Sequence, residues 1–499
     1  MKRKQWNVWG AGLLLCLAVA VFAATESRLN ADDDLYRQLK PLMESMAIIQ
    51  NNYVDEDKVK SKELVEGAIK GMMGQLDPFS QYMDPDDTKD MDAETGGSFG
   101  GLGIEISQRA KVLTVISPIE DTPADKAGIK SGDSILKING ESTEGMDLMD
   151  AVHKMRGEPG TKVTITVYRE GFDAPKDFSI VRAVIKIQTV KYNVLADKVG
   201  YIRLSSFMGN CSDEFAAALD AVRSKGAESL IIDVRNNPGG KLNSAADIAS
   251  HFVAKGKVIV STAGRYKDKD MSFPSDGDDL WTRPTVILIN GGSASASEIL
   301  AGALQDYGLA VVVGTKSFGK GSVQTILKLS NGGSLRLTTA KYLTPKGRSL
   351  HGQGIDPDVV SEEEPMSKEM ADLVDAGVFE GFVKGYLVEH PGYSLHDDGP
   401  KVAVKVSSNW QTLKPETKES HVVADFEDYL DKHGKHLSVD DFARDRVHIL
   451  AKIDEELTRT TSGEDAARAV ALAADPQIKQ ALGVLKVQQI YAAQRSTVQ

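Results

Sequence analysis

The chain has 499 residues, of which 41% are hydrophobic and 26% charged, and a net charge of −12. That length holds about two to four domains, because single cores stop growing at roughly 250–300 residues. The acidic balance argues against nucleic acid or an anionic membrane surface as the main partner.

Lys2, Arg3 and Lys4 precede an uncharged stretch of 17 residues, Val8 to Ala24. A basic start, an apolar middle and small residues at the end form a secretory signal, with cleavage after Ala23. An uncleaved N-terminal membrane anchor is the other reading of residues 1–24, since about 17–25 apolar residues span a bilayer. Either way the protein is expected in the periplasm or cell envelope. Cys16 lies in this segment, so the remainder has only Cys211, which is read as an inert small hydrophobe.

Residues 32–94 are predicted to be a helical segment, with Leu39, Leu42, Met43 and Met46 at helical spacing. It is expected to pack on something else. Residues 95–185 change to a glycine-rich, mostly β domain. Strands are predicted at Ile104–Ile106, Val112–Ile116, Ser134–Ile138 and Val163–Tyr168, with a helix from Leu148 to Met155. Residues 186–360 alternate strand and helix, the pattern of an α/β layer structure. Its strands are predicted at Gly200–Leu204, Ser229–Val234, Val258–Ser261, Thr285–Ile289 and Ala310–Val313, and its helices at Ser212–Ser224, Lys241–Val253 and Ala294–Asp306. Residues 361–499 are charged, mostly helical and the least informative part.

Three glycine-bearing turns follow strands of the α/β region. The run Asn290 to Glu298 leads from an apolar strand into a helix and carries Ser293, Ser295 and Ser297. A serine there is exposed beside free backbone N–H groups, which suits an oxyanion in acyl transfer. The same serines equally suit helix capping. A nucleophilic serine needs a base. None of the nine histidines sits in a recognisable triad setting, and His351 reads as a surface or turn residue. Lys320, in the turn Ser317 to Gln324, is the other candidate. A lysine acting near neutral pH must drop from about 10.4 to about 7–8, which is about 3–5 kcal/mol against its ammonium form and within reach of desolvation. The third turn, Asp233 to Gly240, can offer N–H groups to an anion.

Together these blocks resemble the carboxyl-terminal processing (tail-specific) serine proteases. The resemblance runs from about Leu35 to Val360. It rests on Leu76 to Tyr82, Gly100 to Ile104, Ser117 to Glu141, Asp233 to Gly240, Gly292 to Glu298, Gly319 to Gln324 and Gly354 to Asp358, in that order. It implies a crotonase-like αβ core with an inserted PDZ domain and helical N- and C-terminal segments. It also implies Ser295 as nucleophile, Lys320 as general base and Gln324 orienting that base. Ala296 and the Gly239-Gly240 turn would donate to the oxyanion. Ser293 and Ser297 are expected to cap or pack, and Asp306 to be structural.

In the PDZ-like region Gly101, Leu102, Gly103 and Ile104 resemble a carboxylate-binding loop. A peptide tail would add there as a strand. Ile104, Ile106, Leu148 and Val152 would line its pocket, and Arg156 would link it to the active site. The resemblance implies no cofactor and no metal. It implies protein or peptide substrates with exposed C-termini, and leaves residues 361–499 to a homodimer contact, an adaptor protein or the core. Two other readings compete. One is a catalytically inactive PDZ scaffold binding C-terminal peptides, which has no need of Ser295, Lys320 and Gln324. The other is a crotonase-like enzyme on acyl thioesters, which does not fit a signal and a PDZ module.

Overall fold

The computed structural model describes residues 36–362, 366–395 and 418–496, apart from short stretches at 110–111, 120–121, 131, 147, 170–171 and 187. The export segment 1–24 lies outside the described residues. Among the described helices none is long and apolar enough to cross a membrane. The chain divides into two compact units. One holds the residues up to Thr88 together with Gln324–Thr338, and the other holds Lys89–Val323 and Thr339 onward.

In the first unit a helix over 36–52 and another at Ser61–Gly74 precede a turn. The Asp77 carboxylate builds that turn, accepting from the N–H groups of Phe79 (2.8 Å) and Ser80 (3.0 Å) and from the Ser80 hydroxyl (2.8 Å). The strand Gln81–Met83 then pairs antiparallel with Ser334–Arg336. Leu39 and Leu42, each 39% exposed, and Met43, 69% exposed, lie on the predicted stripe.

In the second unit the β-rich domain forms an antiparallel sheet over its own core of Leu113, Val115, Ile135, Ile138, Val163, Ile165 and Ile180. A two-stranded ribbon, Ser98–Gly101 against Ala183–Lys186, carries the chain in and out of it. The α/β core follows. Its sheet runs in chain order: β1 (Val190–Leu195), β2 (Val199–Leu204), β3 (Ser229–Asp233), β4 (Thr285–Ile289), β5 (Val311–Gly314) and β6 (Val359–Val360). β1 is antiparallel to β2, and the rest are parallel. Each residue of β3 and β4 is buried, as expected of parallel strands covered on both faces.

Alternation sorts those side chains between two cores. Leu230, Ile232, Ile287 and Ile289 face the crossover helices α1 (Cys211–Ser224), α2 (Leu242–Ser250) and α3 (Ala296–Asp306). Val199, Tyr201, Ile231, Val286, Leu288 and Val313 face Ile478, Ala481 and Leu485 of the last helix, α4 (Pro476–Ser496). The C-terminal region, left open by the sequence, therefore supplies the second layer of the core. Between β6 and α4, the helices Lys368–Asp375, Val378–Glu389, Lys418–Lys432 and Val439–Ser462 pack around Phe379, Phe382, Phe426, Ile449 and Ile453. Cys211 is fully buried, and burial pushes its thiol pKa up, as an inert hydrophobe requires.

Candidate active site

The carboxyl ends of β3, β4 and β5 carry the three glycine turns, the usual ligand edge of an open α/β sheet. Two of them are stapled together. Ser293 Oγ donates to the Val234 carbonyl (2.8 Å) and Ser297 Oγ to the Asn237 carbonyl (2.9 Å). The Ala294 N–H donates to that same Asn237 carbonyl (3.0 Å), and the Asn236 N–H to Asn290 Oδ1 (2.8 Å). Ser293 and Ser297 thus bind turn to turn.

Ser295 is the N-cap of α3 and is held at φ 55° and ψ −111°. A non-glycine residue in that sparsely populated region costs of order 1–3 kcal/mol and is characteristic of functional sites. Gly239 is packed against it. A Cβ on Gly239, at φ +100°, would sit 2.8 Å from Ser295 Cβ and 2.9 Å from the Ala296 nitrogen. The Gly239 N–H is already spent on Asn237 Oδ1 (2.9 Å). Among the described residues the N–H groups of Gly240 and Ala296 donate to nothing. Of the two glycines proposed from sequence, Gly240 therefore has the available donor, and Gly239 supplies the close approach.

Glu298 joins the third turn to this pair. Its carboxylate is 1% exposed. Oε2 accepts from the N–H of Ser295 (2.8 Å) and from the N–H of Lys320 (2.9 Å). Oε1 accepts from the Gly319 N–H (2.7 Å) and the Ser317 hydroxyl (2.6 Å). One oxygen atom thus ties the backbones of Ser295 and Lys320 within the summed length of two hydrogen bonds. Gly321 is pressed onto the turn bearing His351, where a Cβ would come 2.1 Å from the His351 nitrogen. The Tyr342 N–H donates to the Gly321 carbonyl (2.8 Å). Burial pushes the Tyr342 phenol up to about 12, while a hydrogen bond with Ser295 works the other way.

Asp306, at the far end of α3, accepts from the Lys346 N–H (2.9 Å) and from Arg348. That is a structural use. Gln324 belongs to the other compact unit, where its Nε2 donates to Thr338 Oγ1 (2.6 Å). Among the described residues no cluster of three His, Cys, Asp or Glu could hold a metal ion.

The β-rich domain has a groove lined by Gly101, Leu102, Gly103, Ile104, Ile106, Val152 and Arg156, all of them assigned from sequence. Phe99 and Met155 complete it, and the Arg156 guanidinium lies 4.7 Å from the centre of the Phe99 ring. Leu148, expected on the groove, instead packs against the domain's own core, one turn of helix away. Sequence reasoning missed Glu298, Tyr342 and Phe99. Only Glu298 left a signal, as the acidic residue three after a capping serine.

Residues 198–361 match the family described as Peptidase family S41, residues 100–180 the PDZ domain, and residues 19–87 the activating protease CtpB N-terminal domain. A carboxy-terminal-processing protease of Bartonella bacilliformis is 44% identical over 419 residues, covering 81% of this chain and 95% of that one. The carboxy-terminal processing protease CtpB of Bacillus subtilis is 39% identical, covering 68% of this chain and 71% of that one. A carboxyl-terminal-processing protease of Synechocystis is 36% identical over 73% of this chain and 89% of that one. These matches define a serine-type peptidase with a PDZ domain. The chain belongs to the S41 carboxy-terminal processing proteases.

Proposed function

We propose that the protein is an exported endopeptidase in which Ser295 attacks the scissile carbonyl and Lys320 acts as general base. Ala296 and Gly240 donate to the oxyanion. Substrates are extracytoplasmic proteins whose apolar C-terminal tails add as a strand in the groove of the PDZ domain, with the tail carboxylate at Gly101–Ile104. The observation that carries this reading is the shared Glu298 Oε2, which binds the amides of both Ser295 and Lys320. Two free N–H groups beside a strained serine further support acyl transfer over a binding scaffold.

The test compares wild type, Ser295→Ala, Lys320→Ala and Lys320→Arg on a reporter protein with an apolar tail. All three variants should lose cleavage while keeping the wild-type melting temperature. Arginine should fail because it does not give up its proton. Amidating the reporter's C-terminus should weaken its recruitment. Normal turnover by Ser295→Ala would end the proposal, and equal capture of acid and amide tails would end its PDZ part.

A further inference from the structure

The turn that presents Gly240 is fixed at its root by a buried ionic network. Asp233, 1% exposed at the end of β3, accepts from Tyr201 Oη (2.9 Å), Arg203 Nη1 (2.8 Å), and the Arg235 N–H (3.0 Å) and Nη2 (2.7 Å). Burial alone would raise the Asp233 pKa, but Arg235 and Arg203 outweigh it and hold it below the usual carboxylate range. Arg235 is in turn gripped from outside the family-matched segment. Its Nη1 meets Asp475 Oδ2 at 2.8 Å and Gln477 Oε1 at 2.7 Å. Gln477 is fully buried, and its Nε2 donates to the Ser361 carbonyl (2.6 Å).

The local sequence explains why this corner is well made. Pro476 opens α4, where its missing N–H costs nothing. Asp475 Oδ1 caps the helix by accepting from the N–H groups of Gln477 (2.8 Å) and Ile478 (3.1 Å). Its other oxygen is thereby turned to Arg235. Ile478 and Leu485, each 1% exposed, anchor the helix on the sheet. Burying such side chains is worth about 1.5–3 kcal/mol each, so docking does not depend on the ion pair.

We propose that Asp475 and Gln477 are positioning residues for catalysis: through Arg235 and Asp233 they hold the 233–240 turn so that the Gly240 N–H meets the tetrahedral oxyanion. The C-terminal layer is then part of the frame of the active site as well as a cover for the sheet. This rests on the Ser295 and oxyanion reading above.

The test is Asp475→Asn in the full chain, because asparagine caps a helix as well as aspartate but carries no charge for Arg235. Removing one oxyanion donor outright costs about 10²–10³ in rate, so misplacing it should cost about tenfold in kcat. KM and the melting temperature should stay at wild-type values. Affinity for a peptide boronic acid, whose adduct with the serine is tetrahedral, should fall by about the same factor as kcat. Gln477→Ala should show the same matched fall in kcat and boronate affinity, with a lower melting temperature because its buried hydrogen bonds are lost. Asp475→Asn with wild-type kcat and boronate affinity overturns the inference, even if Asp475→Ala is unstable, since capping alone would then account for Asp475. A fall in kcat with unchanged boronate affinity overturns it as well. Failure of the boronate to inhibit wild type, or cleavage by Ser295→Ala, would instead remove the underlying catalytic reading.

Discussion

Replacing Glu298 with glutamine tests the coupling of the turns that carry Ser295 and Lys320 most directly. The carboxylate accepts four hydrogen bonds, two on each oxygen. Glutamine has one accepting oxygen and one donating amide, so whichever way it turns the amide faces two of the four groups that now donate to the carboxylate. If the amide replaces Oε2, the two are the Ser295 and Lys320 N–H groups. If it replaces Oε1, they are the Gly319 N–H and the Ser317 hydroxyl, and only the hydroxyl can turn to accept. Hydrogen bonds to a charged group are worth about 1.5–3 kcal/mol each, so the loss is at least about 1.5–3 kcal/mol at a site with almost no access to water. The turns must move apart to relieve it, and a 1 Å misplacement of reacting groups costs about a hundredfold. Cleavage of an apolar-tailed reporter should therefore fall at least about a hundredfold, with a lower urea midpoint. A Glu298→Gln enzyme with wild-type kcat and midpoint would refute the claim that this side chain holds the Ser295 and Lys320 turns together.

Gly239→Ala should be more damaging than its one added methyl suggests, because that carbon meets Ser295 and Ala296 at under van der Waals distance and requires a backbone angle that alanine avoids. Activity should drop by about a hundredfold or more, read against an unchanged PDZ affinity for a tail peptide. His251 gives a pH signature. Burial holds its imidazole below the ordinary 6.5, so neutral histidine is favoured in the folded protein. The stabilisation is complete above 6.5 and is lost as pH falls from there through the depressed value. Urea unfolding at pH 7.5 and 5.5 should show a smaller pH difference in His251→Gln than in wild type. An identical difference would show that His251 does not contribute.

The α/β core was largely legible because its strands and helices advertise themselves locally. Ser229–Asp233 and Thr285–Ile289 are short apolar runs between turn signals, and the crossover helices fill the gaps at βαβ spacing. The turns at Gly239-Gly240, Ser295 and Lys320 were legible as motifs, and their convergence followed from the parallel topology. What stayed hidden depends on contacts between distant residues. Nothing around Asp475 or Gln477 announces an ion pair with Arg235, and the buried apolar residues Ile478, Ala481 and Leu485 form a narrow row in a helix without a clear stripe. Tyr342 reads as one more strand residue until its ring is found beside Ser295. The choice between Gly239 and Gly240 turns on a single side-chain acceptor, Asn237 Oδ1, which no sequence pattern encodes.

The covering of the sheet by the final helix sets an order on biogenesis. A ribosome delivers the chain amino end first, and folding units form as they emerge. The strands through Val313 are complete while Ile231, Val286 and Leu288 still lack the partners that α4 brings. Until α4 is synthesised, that face stays wet and Arg235 waits for Asp475. A chain that stops before α4 is thus an unfinished enzyme, because residues of that helix complete its core.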